Sequence, residues 1–138
     1  MKTHEKKRRL LVVDDATYLL FSFKRLLADM QDEWDMLFMD DPVAAFAMVC
    51  DSPVDLVITD CQMPAMLGTE LVRKIKAVTP ETVCIIMTGS ESSTDRLLAM
   101  DEVSGVLEKP CSLADLRRSI NESGEEHECT PEARRIMG

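Results

Sequence analysis

The 138-residue sequence holds no long apolar run. Leu10-Leu11-Val12-Val13 stops at Asp14, far short of the ~18 residues of a membrane span. The opening stretch MKTHEKKRRLLVVDD also lacks the longer apolar region and small-residue cleavage site of a secretory signal, so a cytoplasmic protein with no membrane partner is expected. Histidine is scarce: only His4 and His127, near the two ends. The five cysteines, Cys50, Cys61, Cys84, Cys111 and Cys129, are odd in number and contain no C-x-x-C pair. That excludes a clustered zinc site and a disulfide framework, and reduced thiols are expected. Positive charge is confined as well. The net charge is −9, which argues against a nucleic-acid surface. Residues 1–9 carry five Lys/Arg against one Glu and read as a solvated basic tip.

Apolar content is ample: 46% hydrophobic against 30% charged, enough for the core of one domain. Leu10–Val13 reads as a buried strand, followed by a helical pattern of Leu19, Phe23, Leu26, Leu27 and Met30. Trp34–Met39 is a second strand. Asp41-Pro42 opens a helix, as N-cap acid and first-turn proline, with Val43, Phe46, Ala47 and Cys50 on one face. Val54–Thr59 is a third strand ending at Asp60, and Pro64 and Gly68 mark a loop. Thr69 is expected to cap a third helix with Leu71, Val72, Ile75 and Val78 inward. Val83–Met87 is a fourth strand, residues 92–100 a short helix, and Gly105–Glu108 a fifth strand. Ser112 caps a last helix reaching about Glu122, with Leu113, Leu116 and Ile120 inward. From residue 124 periodicity is lost, and an acidic, mobile tail over 124–138 is expected.

The order is βα repeated five times. It predicts an α/β class domain, a doubly wound five-stranded parallel sheet with helices on both faces. In such sheets the site lies beyond the carboxyl ends of the strands. Asp14, Asp15, Asp60, Thr88 and Lys109 stand at those ends. Three crowded carboxylates are costly without a cation. Mg²⁺ (or Mn²⁺) suits oxygen donors, with Asp15 and Asp60 as direct ligands, Asp14 direct or through water, and a backbone carbonyl just after Asp60. A carboxylate is also a nucleophile toward phosphorus, provided positive charge and hydroxyl donors meet the phosphoryl oxygens. Lys109 and Thr88 supply these. Singly, a strand-end Thr or Asp is more often a turn former or cap, and Lys109 a surface lysine. Their joint placement at the strand ends favours the chemical reading.

The runs LLVVDD (10–15), DLVITDCQMPAMLG (55–68), IIMTG (85–89) and LEKP (107–110) resemble the receiver domain of two-component response regulators. The resemblance covers roughly residues 8–123, with the motifs in order and at family spacing. It implies a flavodoxin-like sheet of order 2-1-3-4-5 and a signalling domain over 9–123, between the tip 1–8 and the tail. It implies that Asp60 accepts a phosphoryl group from a phosphohistidine on a sensor histidine kinase or phosphotransfer protein. Asp14 and Asp15 match the metal-binding acidic pair, and the carbonyl of Gln62 the backbone metal ligand. Thr88 matches the switch hydroxyl and Lys109 the lysine of the motif, whose bond to Pro110 is then expected cis. The first helix is implied to meet the donor's histidine-bearing helices. Tyr18, Leu20 and Phe21, beside a core stripe of Leu19, Phe23 and Leu26, are the expected patch.

Some positions depart from the family. Val106 stands where the family has a Tyr or Phe switch residue, Gly89 where Ala is common, and Leu67 where Asp is frequent. Few residues follow Glu122, so the chain reads as a stand-alone receiver or one cut from a longer protein, passing its signal to a downstream protein. Other classes fit less well. An interaction module without phosphorylation would be expected to have lost Asp60, Asp15 or Lys109. A flavodoxin-like electron carrier needs a Ser/Thr/Gly-rich phosphate loop where this chain has Asp-Asp-Ala-Thr. A phosphatase-type enzyme carries a second acid two residues after the nucleophile, and here that residue is Gln62. The expected role is a switch, not an enzyme acting on other substrates, with self-phosphorylation and slow self-hydrolysis.

Overall fold

The computed structural model describes residues 7–89 and 94–125. Most of the basic tip, residues 90–93 and the tail beyond 125 lie outside the described residues. The elements run β1 Arg8–Val13, α1 Thr17–Leu26, β2 Trp34–Met39, α2 Pro42–Asp51, β3 Leu56–Asp60, α3 Gly68–Val78, β4 Val83–Thr88, α4 Thr94–Leu98, β5 Gly105–Glu108 and α5 Leu113–Glu125. All strand pairs are parallel, in the order β2-β1-β3-β4-β5. This is the expected doubly wound, flavodoxin-like sheet.

Side chains of successive strand residues point to opposite faces, so each apolar run feeds two cores. Leu11, Val13, Val57, Cys84, Ile86 and Val106 meet α2, α3 and Leu97 of α4. Leu10, Val12, Leu56, Ile58, Ile85, Met87 and Leu107 meet α1 and α5 on the other side. Each such fully buried aliphatic stabilises the fold by about 1.5–3 kcal/mol. Among the described residues no helix is long and apolar enough to cross a membrane.

The strands start and end a residue or two away from the apolar runs. β1 begins at Arg8 because Arg9 is anchored: its N–H donates to Asp55 Oδ2 at 2.7 Å and its guanidinium to Pro53 O at 2.9 Å. Arg8 stacks over the Trp34 ring, 5.5 Å from its centroid. β3 starts at Leu56 rather than Val54 and includes Asp60.

Helix faces account for the clearest corrections. α1 buries Leu20 and Phe23, with Leu27 and Met30 following on a 3₁₀ turn over Ala28–Met30. Phe23, Leu27 and Met30 are buried as expected, while Leu19 is half-buried, Leu26 is exposed and Leu20 takes an inward place. Leu19 and Leu20 both stand at helix spacing from Phe23, and packing against the sheet buries Leu20 the more deeply. In α2 the buried residues are Pro42, Ala45 and Val49, with Phe46 half-buried, while Val43, Ala47 and Cys50 are exposed. That helix is apolar nearly all round, so its periodicity carried no direction. Its start is as expected: Asp41 Oδ1 accepts from Val43 N–H at 3.0 Å. α3 begins at Gly68, and Glu70 Oε1 accepts from Leu67 N–H at 3.0 Å, so Thr69 is not the cap. Val78, at the last turn, is exposed. Ser112 Oγ does cap α5, accepting from Asp115 N–H at 3.0 Å.

Candidate functional site

The parallel sheet brings the carboxyl ends of β1, β3, β4 and β5 to one rim. Val13 pairs with Thr59, Asp60 with Met87, and Thr88 with Glu108. Asp14 and Asp15 follow β1 directly, Asp60 ends β3, Thr88 ends β4, and Lys109 follows β5.

Asp14 is buried and turns the chain into α1, its Oδ1 accepting from Ala16 N–H at 3.0 Å. Its Oδ2 is buried with no hydrogen-bond partner among the described residues. Asp60 is buried too, and its Oδ1 lies 2.6 Å from Lys109 Nζ. Asp15 is exposed. One carboxylate oxygen from each of Asp14, Asp15 and Asp60 lies within 4.8 Å of the others. Burial holds the Asp14 carboxyl above its ordinary value of 3.8. The Ala16 N–H and the Lys109 charge oppose that rise, and the charges of Asp60 and Asp15 reinforce it.

Thr88 is fully buried, its Oγ1 donating to Gly89 O at a long 3.5 Å. Its carbonyl accepts from Lys109 N–H at 2.7 Å, which fixes the lysine backbone on β4. The Lys109–Pro110 peptide is cis. Gln62 is exposed in the loop after Asp60. Val106 stands apart from the carboxylates, buried in the core with Ile86 and Leu97.

Gly68 is a site residue whose role the sequence reading missed. A Cβ there would sit 2.2 Å from the Asp60 carbonyl oxygen. Its N–H donates to Cys61 O at 2.8 Å, closing the loop onto the end of β3. The signal was its place after the Pro64 loop; no positive φ is involved, only space. A second unexpected contact joins the rim to α4: Thr94 Oγ1 donates to Glu108 Oε2 at 2.6 Å.

The arrangement is a cluster of hard oxygen donors with one ammonium. The unpartnered Asp14 Oδ2 and the crowding of three carboxylates fit a divalent cation. Residues 10–121 match the response regulator receiver domain family. This chain belongs to that family. The receiver is 28% identical over 119 residues to chemotaxis protein CheY-3 of Vibrio cholerae, covering 84% of this chain and 91% of that protein. It is likewise 28% identical over 116 residues to sensor histidine kinase TmoS of Ectopseudomonas mendocina, covering 82% of this chain but 12% of that protein. Among solved structures it is similar to a response regulator receiver domain protein from Clostridium thermocellum. That match has a TM-score of 0.75 and 32% identity, and covers 84% of this chain and 93% of the other. Receivers of two-component systems are generally signalling domains rather than enzymes.

Proposed function

We propose that this receiver is a phosphoacceptor switch in a two-component phosphorelay, with Asp60 as the acceptor. The observation that carries this is the meeting of Asp14, Asp15 and Asp60 within 4.8 Å, with Lys109 Nζ 2.6 Å from Asp60 Oδ1. Asp14, Asp15, Asp60 and the carbonyl of Gln62 would hold Mg²⁺ or Mn²⁺. When bound, that ion supplies charge neutralisation for the phosphoryl oxygens.

The Asp60 carboxylate attacks phosphorus of a phosphohistidine, presented by a sensor histidine kinase or a phosphotransfer protein. A P–O bond forms, the P–N bond breaks, and the imidazole leaves. Lys109 donates to a phosphoryl oxygen and holds the developing negative charge. Thr88, buried at the end of β4 beside this rim, turns its hydroxyl to donate to another. The resulting acyl phosphate changes how the surface meets a downstream protein. Gln62, without an acid's proton, offers no general catalyst for hydrolysis, so the state decays slowly. On this reading the signalling domain is the expected 9–123 segment, carried by β1 to Arg8 and by α5 to Glu125, between the rest of the basic tip 1–8 and of the acidic tail 124–138. It works in the cytoplasm, and its partners are proteins rather than nucleic acid or membrane.

Intact mass after incubation with acetyl phosphate and Mg²⁺ tests it. The expected result is one phosphoryl increment that needs the metal and is absent from Asp60→Asn. A full increment in that variant overturns the assignment.

A further inference from the structure

The chain between Asp60 and α3 is short and fastened at both ends. Cys61 N–H donates to Met87 O at 2.9 Å, and Cys61 O accepts from Gly68 N–H at 2.8 Å. Cys61 and Met63 are both buried, in the core that also holds Leu71 and Val72 of α3. Gln62 stands between them and is exposed. Its backbone is therefore held by the sheet on one side and by the start of α3 on the other. Leu67 occupies the N-cap position of α3, and a leucine has no side-chain oxygen for the free N–H groups of a helix start. Glu70 does the fastening instead. Its Oε1 accepts from Leu67 N–H at 3.0 Å, while Leu67 O accepts from Leu71 N–H at 3.0 Å. Leu67 is thus bonded through both its N–H and its carbonyl, and Gly68 beside it carries the bond back to Cys61. The carboxylates that gather at the rim are those of Asp14, Asp15 and Asp60, and Glu70 is not among them.

We propose that Glu70 is a positioning residue for the divalent cation: by holding Leu67 and Gly68 at the start of α3, it keeps the loop that offers the Gln62 carbonyl in its binding form. This rests on the reading of Asp14, Asp15, Asp60 and the Gln62 carbonyl as the ligands of the ion. A loop that has to be ordered as its ligand arrives lowers the affinity by the entropy of that ordering, and a loop already closed does not. Glu70 acts through a hydrogen bond to the backbone. What counts is an acceptor oxygen in the first turn of α3, not the negative charge, so an amide oxygen at the same place serves as well.

The test titrates Mg²⁺ into the protein with no phosphodonor present. Amide spectra follow Met63, whose N–H belongs to the same peptide as the Gln62 carbonyl. Glu70→Ala should raise the Kd about five-fold, the worth of one typical helix cap. Glu70→Gln should stay within about two-fold of the wild type, because it keeps the acceptor. Leu67→Ser combined with Glu70→Ala places a hydroxyl at the N-cap position and should recover most of the loss. Thr79→Val serves as the control at the other end of the same helix, where Thr79 Oγ1 donates to Ile75 O at 3.0 Å. It should leave the Kd unchanged even where the melting temperature falls. Well-dispersed spectra show that each variant is folded. An unchanged Kd in Glu70→Ala, with a wild type whose Met63 amide responds, overturns the role of Glu70 and leaves the ligand set standing. Equal weakening in Glu70→Ala and Thr79→Val makes the effect one of helix stability and overturns it too, as does equal weakening in Glu70→Gln, which would make it one of charge. A wild type whose Met63 amide ignores Mg²⁺ overturns Gln62 as a ligand, and the proposal with it.

Discussion

Lys109 Nζ stands 2.6 Å from Asp60 Oδ1, the ammonium being 31% exposed and the carboxylate 8%. The pair reaches across β4, because β3 and β5 are each neighbours of β4 and not of one another. This charge offsets the repulsion among Asp14, Asp15 and Asp60. Removing one partner of a buried pair costs more than the pair contributes, since the other charge is left alone. Lys109→Ala is expected to lower unfolding free energy by about 1–3 kcal/mol in metal-free buffer, the partial exposure of the lysine keeping the loss below that of a fully buried pair. Urea titrations with and without Mg²⁺ check it, and added Mg²⁺ should return part of the loss. Wild-type stability without metal would show that the pair contributes nothing to the fold.

Asp14 gives a pH dependence of definite sign. Burial, ahead of every other cause, raises its pKa above 3.8. A carboxyl so raised binds its proton more tightly in the fold than in the unfolded chain. Its favourable contribution is complete below 3.8 and is lost as pH rises through the raised value. At neutral pH the ionised Asp14 therefore destabilises the metal-free protein. Asp14→Asn should raise the metal-free melting temperature at neutral pH, by roughly 3–6 °C per kcal/mol relieved, with the gain vanishing at acid pH. The same variant should flatten the stabilisation by Mg²⁺. Calorimetry across pH, with and without the ion, measures both. A gain that grew on acidification would contradict the assigned cause.

Gly68→Ala places a methyl 2.2 Å from the Asp60 carbonyl oxygen, with the Asp60 carbonyl carbon and Cys61 Cα both at 3.1 Å. All three are backbone atoms, so no flexible side chain can give way. Either α3 retreats or the end of β3 moves, and overpacking of this kind costs about 1–3 kcal/mol. Phosphoryl uptake from acetyl phosphate should slow along with the loss of stability, because Asp60 itself is displaced. Stability lost without any change in uptake would place the adjustment in α3 alone.

The parts legible in the sequence were those with a repeating or local chemical cause. Five apolar runs, each closed by a charged or hydroxyl residue, contained the sheet and the rim: Asp14, Asp60, Thr88 and Lys109 all stand where a strand ends. The caps at Asp41 and Ser112 were legible because the cap residue itself makes the bond. Helix faces were not. α2 offers apolar side chains in most directions, and its burial of Ala45 and Val49 in place of Val43 and Cys50 follows from where α3 lies. In α1 the burial of Phe23, Leu27 and Met30 was legible, whereas the edges of the stripe were not: Leu20 is buried and Leu26 exposed. Gly68 and the Thr94–Glu108 bond escaped because each depends on a contact between segments distant in sequence.

The inward place of Leu20 changes which residues of α1 can meet a phosphodonor. Leu20 is buried, whereas Tyr18 and Phe21 are 71% and 68% exposed. Phe21 also walls a groove of about 400 Å³ that runs past Lys24 to Phe38, Met39 and Asp40. Two large, exposed rings one turn apart, beside the acidic rim, form an apolar patch of the kind that docks a partner. Tyr18→Ser and Phe21→Ser should each slow phosphoryl transfer from a phosphohistidine donor about ten-fold, the effect of losing one interfacial anchor. Both should leave loading by acetyl phosphate and the melting temperature unchanged, since neither ring supports the core. Leu20→Ser should behave differently. It removes a core side chain that packs beside Phe23, so stability should fall by about 2–4 kcal/mol and both donors should be slowed. Timed transfer from the two donors, alongside thermal melts of the three variants, separates docking from folding. Equal slowing by both donors in Tyr18→Ser and Phe21→Ser would assign these rings to the site or the fold and remove α1 as the docking face.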